Sequence, residues 1–149
     1  LPDAKAVLSG SRAHPNLRGV VCFYQTDEGV VVAAEVRGLP YERGACAPSV
    51  FGFHIHEGRS CTGTREDPFA NAQGHYNPRN CPHPQHAGDL PPLFGNKGYA
   101  LMTVLTDRFT VNEIVGRTVI LHSQRDDFTT QPAGDSGARI ACGRITRAV

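Results

Sequence analysis

The chain has 149 residues, with 15 basic against 14 acidic side chains and a net charge of +1. That length fits one domain over residues 1–149 and leaves no room for a second substrate-binding lobe; the near-neutral balance lacks the basic footprint that nucleic acid or an anionic membrane surface requires. No stretch approaches the ~20 consecutive apolar residues of a membrane span, and an opening Leu-Pro without Met, charged n-region or apolar h-region is what a mature or trimmed form would show.

Short runs rich in Val, Ile, Phe and Tyr recur between Gly, Pro, Asn and Asp clusters, at residues 5–8, 19–26, 30–36, 50–56, 99–105, 118–122 and 139–145. They read as strands. Asp27-Glu28-Gly29 between the second and third is a hairpin signal, because glycine tolerates the positive φ of such turns. Residues 111–115 after Thr110 predict one short helical turn, ended by Gly116. With no long helix, the chain reads as an all-β, antiparallel Greek-key barrel or sandwich of eight strands. Two long segments, 58–92 and 123–138, break the rhythm, and structureless stretches beyond ~12–15 residues carry function or are tied down.

Five cysteines, at positions 22, 46, 61, 81 and 142, contain no CxxC pair, which leaves disulfides and buried thiols as the choices. Cys22, inside an apolar run, reads as a small core hydrophobe.

The histidines cluster at the long segments. In Phe51-Gly52-Phe53-His54-Ile55-His56, strand alternation sets His54 and His56 on one face and Phe51, Phe53 and Ile55 on the other. Side chains two apart on a strand lie roughly 6–7 Å apart at the backbone, and two imidazoles can converge from there on one ion. Alone, the pair also fits two polar residues on a solvated face. The next cluster shifts that balance: His75, His83, His86 and Asp89 fall in loop sequence full of Pro, Asn and Gly, and three imidazoles with one carboxylate make a tetrahedral zinc set. A metal would give this loop a cause for order. His122 ends the run Thr118-Val119-Ile120-Leu121, where a strand fixes the Cα and the side chain faces the loops. His14, beside Pro15, reads as a surface residue.

These residues resemble the copper,zinc superoxide dismutase family, in its bacterial form, from Gly19 to Ile145. The carrying motifs are Gly52-Phe53-His54-Ile55-His56-Glu57, Gly74-His75-Tyr76-Asn77-Pro78, His86-Ala87-Gly88-Asp89, Gly116-Arg117-Thr118-Val119-Ile120-Leu121-His122 and Gly137-Ala138-Arg139-Ile140-Ala141-Cys142-Gly143. The resemblance implies one copper held by His54, His56, His75 and His122. It implies one zinc held by His75, His83, His86 and Asp89, with His75 as the bridge. Asp126 matches a carboxylate that hydrogen-bonds a ligand histidine of each metal, and such partners orient the rings. Arg139 matches the arginine that guides the superoxide anion, and His75 the group that carries a proton between two half-reactions yielding dioxygen and hydrogen peroxide. Cys61 and Cys142 match the family's disulfide, whose closure contributes roughly 4–5 kcal/mol in the chain-entropy view.

Departures from the family pattern set further expectations. The His83–His86 spacer is short, so the zinc loop closes tightly. Phe51 stands where many relatives carry histidine and reads as a packing residue. Arg59, Arg125 and Lys97 are local candidates for attracting the anion. Cys46 and Cys81 lie outside the family pattern, and a second disulfide between them would tether the shortened loop, with two separate thiols as the alternative. Disulfides point to an extracytoplasmic compartment, secreted, periplasmic or at the envelope. Two other functions compete: a dismutase-like protein that stores or delivers copper and zinc, and a zinc hydrolase. The second wants an open zinc position and a base, whereas Asp89 closes the shell and Glu57 faces away. The sequence leaves a homodimer and a copper donor open as partners.

Overall fold

The structure, a computed structural model, describes residues 1–148. Its strands are β1 (Ala4–Gly10), β2 (Arg18–Thr26), β3 (Gly29–Arg37), β4 (Val50–Phe51), β5 (Phe53–His56), β6 (Leu93–Phe94), β7 (Ala100–Thr106), β8 (Thr118–His122) and β9 (Arg139–Arg147). Seven of them form one antiparallel sheet in the order β5-β8-β9-β1-β2-β3-β7. The two-residue pair β4–β6 joins its ends, since β4 leads into β5 and β6 leads into β7 through the Asn96–Tyr99 bridge. The sheet thus curls on itself, with β9 returning beside β1 in Greek-key fashion. Among the described residues no helix is long and apolar enough to cross a membrane.

Alternation drives the curl. Ala4, Ala6, Leu8, Val21, Phe23, Val30, Val32, Ala34 and Val36 all face one core, while their neighbours Val7 and Val20 are exposed. Phe51 packs in that core as expected. Cys22 does not: it shares the outer face with Val20 and Tyr24 and is only partly buried, because the phase of β2 is set by Val21 and Phe23. The hairpin at Asp27-Glu28 pairs Thr26 with Gly29. The short turn after Thr110 forms as α1 (Val111–Ile114), with a reciprocal Thr110–Glu113 capping box that satisfies backbone N–H groups at its start.

Nine strands stand where seven runs read as strands and an eight-stranded barrel is expected, because the 50–56 run is broken in two and β6 is added. The break falls at Gly52, whose N–H donates to the Gln124 carbonyl and whose carbonyl accepts from the His122 N–H. A Cβ there would lie 2.6 Å from Ser136 Oγ. Only glycine lets the second long loop come this close to the strand that carries His54 and His56.

Candidate metal centre

Two strands and one loop supply the histidines. Every residue of β5 is buried: Phe53 and Ile55 join the apolar core, while His54 and His56 face the loops. His122 ends the adjacent strand β8, where the register against β9 shifts between Leu121 and His122. His75 bridges to His56 and Asp89 to His54 as isolated β-pairs, so the loop is pinned to β5 at both ends of the segment 75–89. The result is two sets of ligand atoms, each within 4.8 Å of one another: His54, His56, His75 and His122, and His75, His83, His86 and Asp89. His75 belongs to both. Every histidine the sequence singles out is therefore brought into the cluster, and His14 stays outside it, beside Ser11 Oγ.

Hydrogen bonds decide which nitrogen of each ring is free. His54 Nε2 donates to Asp126 Oδ2 at 2.7 Å and His83 Nε2 donates to Asp126 Oδ1 at 2.8 Å. His56 Nδ1 donates to the Gln73 carbonyl at 2.8 Å. In each ring the other nitrogen then carries a lone pair, as a metal ligand requires. His83 Nδ1 faces Asp89 Oδ2 at 2.9 Å, two acceptors opposed unless a cation lies with them. His56 Nε2 and His122 Nε2 stand 3.3 Å apart, His75 Nδ1 and His86 Nδ1 3.1 Å. Two ligands bonded to one ion at ~2.0–2.1 Å in tetrahedral geometry stand ~3.3–3.4 Å apart. His54 Nδ1, His75 Nε2 and His122 Nδ1 are buried without a partner, a desolvation cost of about 1–3 kcal/mol each that coordination offsets for those bound. The donor set fits copper in the first group and zinc in the second: imidazole suits both metals, and a carboxylate suits zinc.

The electrostatics point the same way. Burial pushes the His54 imidazolium down to about 4, and burial with neighbouring imidazoles holds His56 and His122 well below the ordinary histidine value. The rings are neutral and ready to ligate. Burial would raise the carboxyls of Asp89 and Asp126, but the adjacent His75, His83 and His86 rings at the first, and hydrogen bonds from His54 and His83 to the second, outweigh it and keep both lowered. Gly134 makes the Asp126 bridge possible: at φ +71, a Cβ there would sit 2.0 Å from Asp126 Oδ1 and 2.7 Å from His83 Nε2.

A cleft of about 390 Å³ opens onto the first set, lined by His56, His75, His122, Asp135, Ser136 and Arg139, among others. Arg139 is held by two carbonyls, Nη1 donating to Phe69 at 2.9 Å and Nη2 to Gln73 at 2.6 Å. Gln73 was invisible in the sequence because it acts through its backbone carbonyl, which serves both Arg139 and His56. Asp135, a second residue not singled out, brings a carboxylate to the mouth. Arg59, Arg125 and Lys97 are not among the cleft's lining residues: Arg125 and Lys97 line other surface hollows, and Arg59 reaches toward Gly116. Arg139 is the cation that lines the cleft.

Cys61 and Cys142 are disulfide-bonded with Cα atoms 5.8 Å apart, across 81 residues, tying the start of the first long loop to β9. Cys46 and Cys81 are both free, Cys46 exposed and Cys81 partly buried. The expected second disulfide is thus not formed; the loop carrying Cys81 is held instead by hydrogen bonds, among them Asn77 with the Cys81 backbone.

A family model described as copper/zinc superoxide dismutase matches residues 17–145. The chain is 34% identical to Cu-Zn superoxide dismutase 2 of Aquifex aeolicus, over 96% of this chain and 87% of that protein. It is 33% identical to the Cu-Zn superoxide dismutase of Photobacterium leiognathi, over 85% and 78%. The solved structure of the Brucella abortus Cu/Zn superoxide dismutase superposes with a TM-score of 0.79 at 28% identity, covering 95% of this chain and 98% of that one. Sequence, fold and the paired histidine sets converge: the chain belongs to the copper/zinc superoxide dismutase family, in its bacterial form.

Proposed function

We propose that the chain disproportionates superoxide, two superoxide anions and two protons giving dioxygen and hydrogen peroxide, with His54, His56, His75 and His122 holding copper and His75, His83, His86 and Asp89 holding zinc. The observation that carries the reading is the pair of four-ligand sets sharing His75. Copper supplies one-electron redox chemistry when bound, and zinc, which has none, a fixed charge.

The chain's own residues do the rest. Arg139, its guanidinium fixed by two carbonyls beside His56 and His122, draws the anion to the open face and holds it there. His75 lines the same cleft, and its Nε2, buried without a partner, is the group that holds one proton and hands it to the peroxide product. Asp126 keeps the rings of His54 and His83 in the ligating tautomer. The Cys61–Cys142 bond supports an extracytoplasmic location, secreted, periplasmic or at the envelope, where disulfides persist.

The test is metal content by elemental analysis together with superoxide consumption on the same loaded sample. About one copper and one zinc per chain, with kcat/KM near the ~10⁸–10⁹ M⁻¹s⁻¹ ceiling, is the expected result. Full occupancy with negligible turnover would overturn it in favour of metal storage or delivery.

A further inference from the structure

The zinc ligands other than His75 sit on a loop with no strand or helix between Ala72 and Leu93, and with no second disulfide to fix it. Something else must set the position of His83. Its backbone makes a reciprocal pair with one side chain 48 residues away: the His83 N–H donates to Gln131 Oε1, and Gln131 Nε2 donates to the His83 carbonyl, both at 2.8 Å. A carboxamide facing a peptide unit in this way imitates one rung of a β-ladder and resists both rotation and sliding. The ring of the same residue is held from its far side, Nε2 donating to Asp126 Oδ1.

On the other flank Arg108 Nη1 donates to the carbonyl of Pro84 at 2.7 Å and to that of His86 at 3.3 Å, just beyond β7. The segment 83–86 is therefore gripped by the second long loop on one side and the barrel on the other. Asp126 and Gln131 both belong to that second loop, so it supplies two separate restraints to a single ligand. Neither Gln131 nor Arg108 touches a reacting atom.

We propose that Gln131 is a positioning residue for zinc: its amide clamps the His83 backbone so that Nδ1 is aimed at the zinc position before the ion arrives, replacing the restraint that a longer loop or a second disulfide would give. The inference rests on the reading of His75, His83, His86 and Asp89 as the zinc set. Loss of the clamp leaves His83 held by Asp126 and by the grip of Arg108 on the neighbouring carbonyls, and more of the entropy of ordering the loop then falls on zinc binding itself.

The test follows zinc transfer from the full-length, copper- and zinc-loaded chain to excess chromogenic chelator. Gln131→Met keeps the side chain's length and removes both hydrogen bonds; Gln131→Glu keeps the acceptor for the His83 N–H and loses the donor. Zinc release is expected to be about tenfold faster in Q131M, the lower end of what outer partners of a ligand contribute, and intermediate in Q131E, with copper content per chain unchanged in both. Release at the wild-type rate in Q131M, or equal loss of copper and zinc, would overturn the proposal. Should Q131M fail to fold, Q131E decides alone, a wild-type release rate again overturning it. A wild-type chain that takes up no zinc would remove the clamp and the zinc assignment together. Stoichiometric zinc without superoxide turnover would sink the dismutase reading while the release rates still decide the clamp.

Discussion

The two halves of the centre are built differently. Three of the four residues proposed for copper stand on strands, His54 and His56 on β5 and His122 at the end of β8, where backbone pairing fixes their spacing whether or not a metal is present. The residues proposed for zinc, other than His75, stand on loop backbone held by contacts with distant chain, Gln131, Arg108 and Asp126. A ligand on a strand is positioned by local alternation, whereas a ligand on a loop is positioned by whatever the rest of the fold brings to it. The copper half should therefore tolerate damage to the loops, and the zinc half should not.

The largest effect that separates the halves comes from the histidine they share. His75→Ala removes a member of both sets, and superoxide consumption should fall by about 10³-fold or more, since the proposed proton carrier is lost along with a proposed ligand. His86→Ala should instead abolish zinc binding while copper stays near one per chain. Elemental analysis of the two variants checks this; loss of copper in H86A equal to that of zinc would show that the strands do not hold their half independently.

Acid offers a second way to break the comparison, in the metal-free chain. Burial lowers His54 to about 4, so the folded state binds fewer protons there than the unfolded chain between pH ~6.5 and ~4. The contribution is fully present above the unfolded value and is lost as pH falls toward 4, on the order of 3 kcal/mol from this ring. His56 and His122 are displaced in the same direction and add to the loss. Denaturant titrations of the apo chain at pH 7.5 and pH 4.5 should show the drop, and it should shrink when His54 is replaced by a neutral side chain such as Gln.

What the sequence discloses follows the same division. His54 and His56 were legible because a His-x-His on an apolar strand has one geometry, and Thr110 with Gly116 marked the ends of α1 because capping is local. The two-residue β6 lay inside a Pro-rich stretch with no alternation to show it. Gln131 and Arg108 were not legible as partners of the zinc loop, since a polar side chain in a loop carries no sign of which backbone it will meet. Cys46 and Cys81 misled for that reason also: proximity in the folded chain was inferred from two loop positions with nothing to set their distance. Arg59, Arg125 and Lys97 lie outside the cleft lining, since charge sign says nothing about which side of a barrel a residue occupies.

Arg139→Ala tests the open face of the copper half with both metal sets intact. Losing the cation that lines the cleft should lower kcat/KM about tenfold, the low end of steering effects, and flatten its dependence on ionic strength. The smallest expected change runs the other way and comes from Asp135. Its carboxylate is exposed at the same mouth, where it repels the anion that Arg139 attracts. One unit charge roughly 8 Å from the path through water is worth about 0.5 kcal/mol, so Asp135→Asn should raise kcat/KM about twofold at low salt. The gain should vanish as added salt shortens the Debye length to ~3 Å at 1 M. Asparagine suits the test because residue 135 has φ +52, a conformation Asn and Asp both tolerate. Zinc release should be unchanged in D135N, because the residue lines the cleft at the proposed copper set and is not hydrogen-bonded to Gln131 or His83; a faster release would mean that the second loop answers as one body and that the two halves are not separable at its tip.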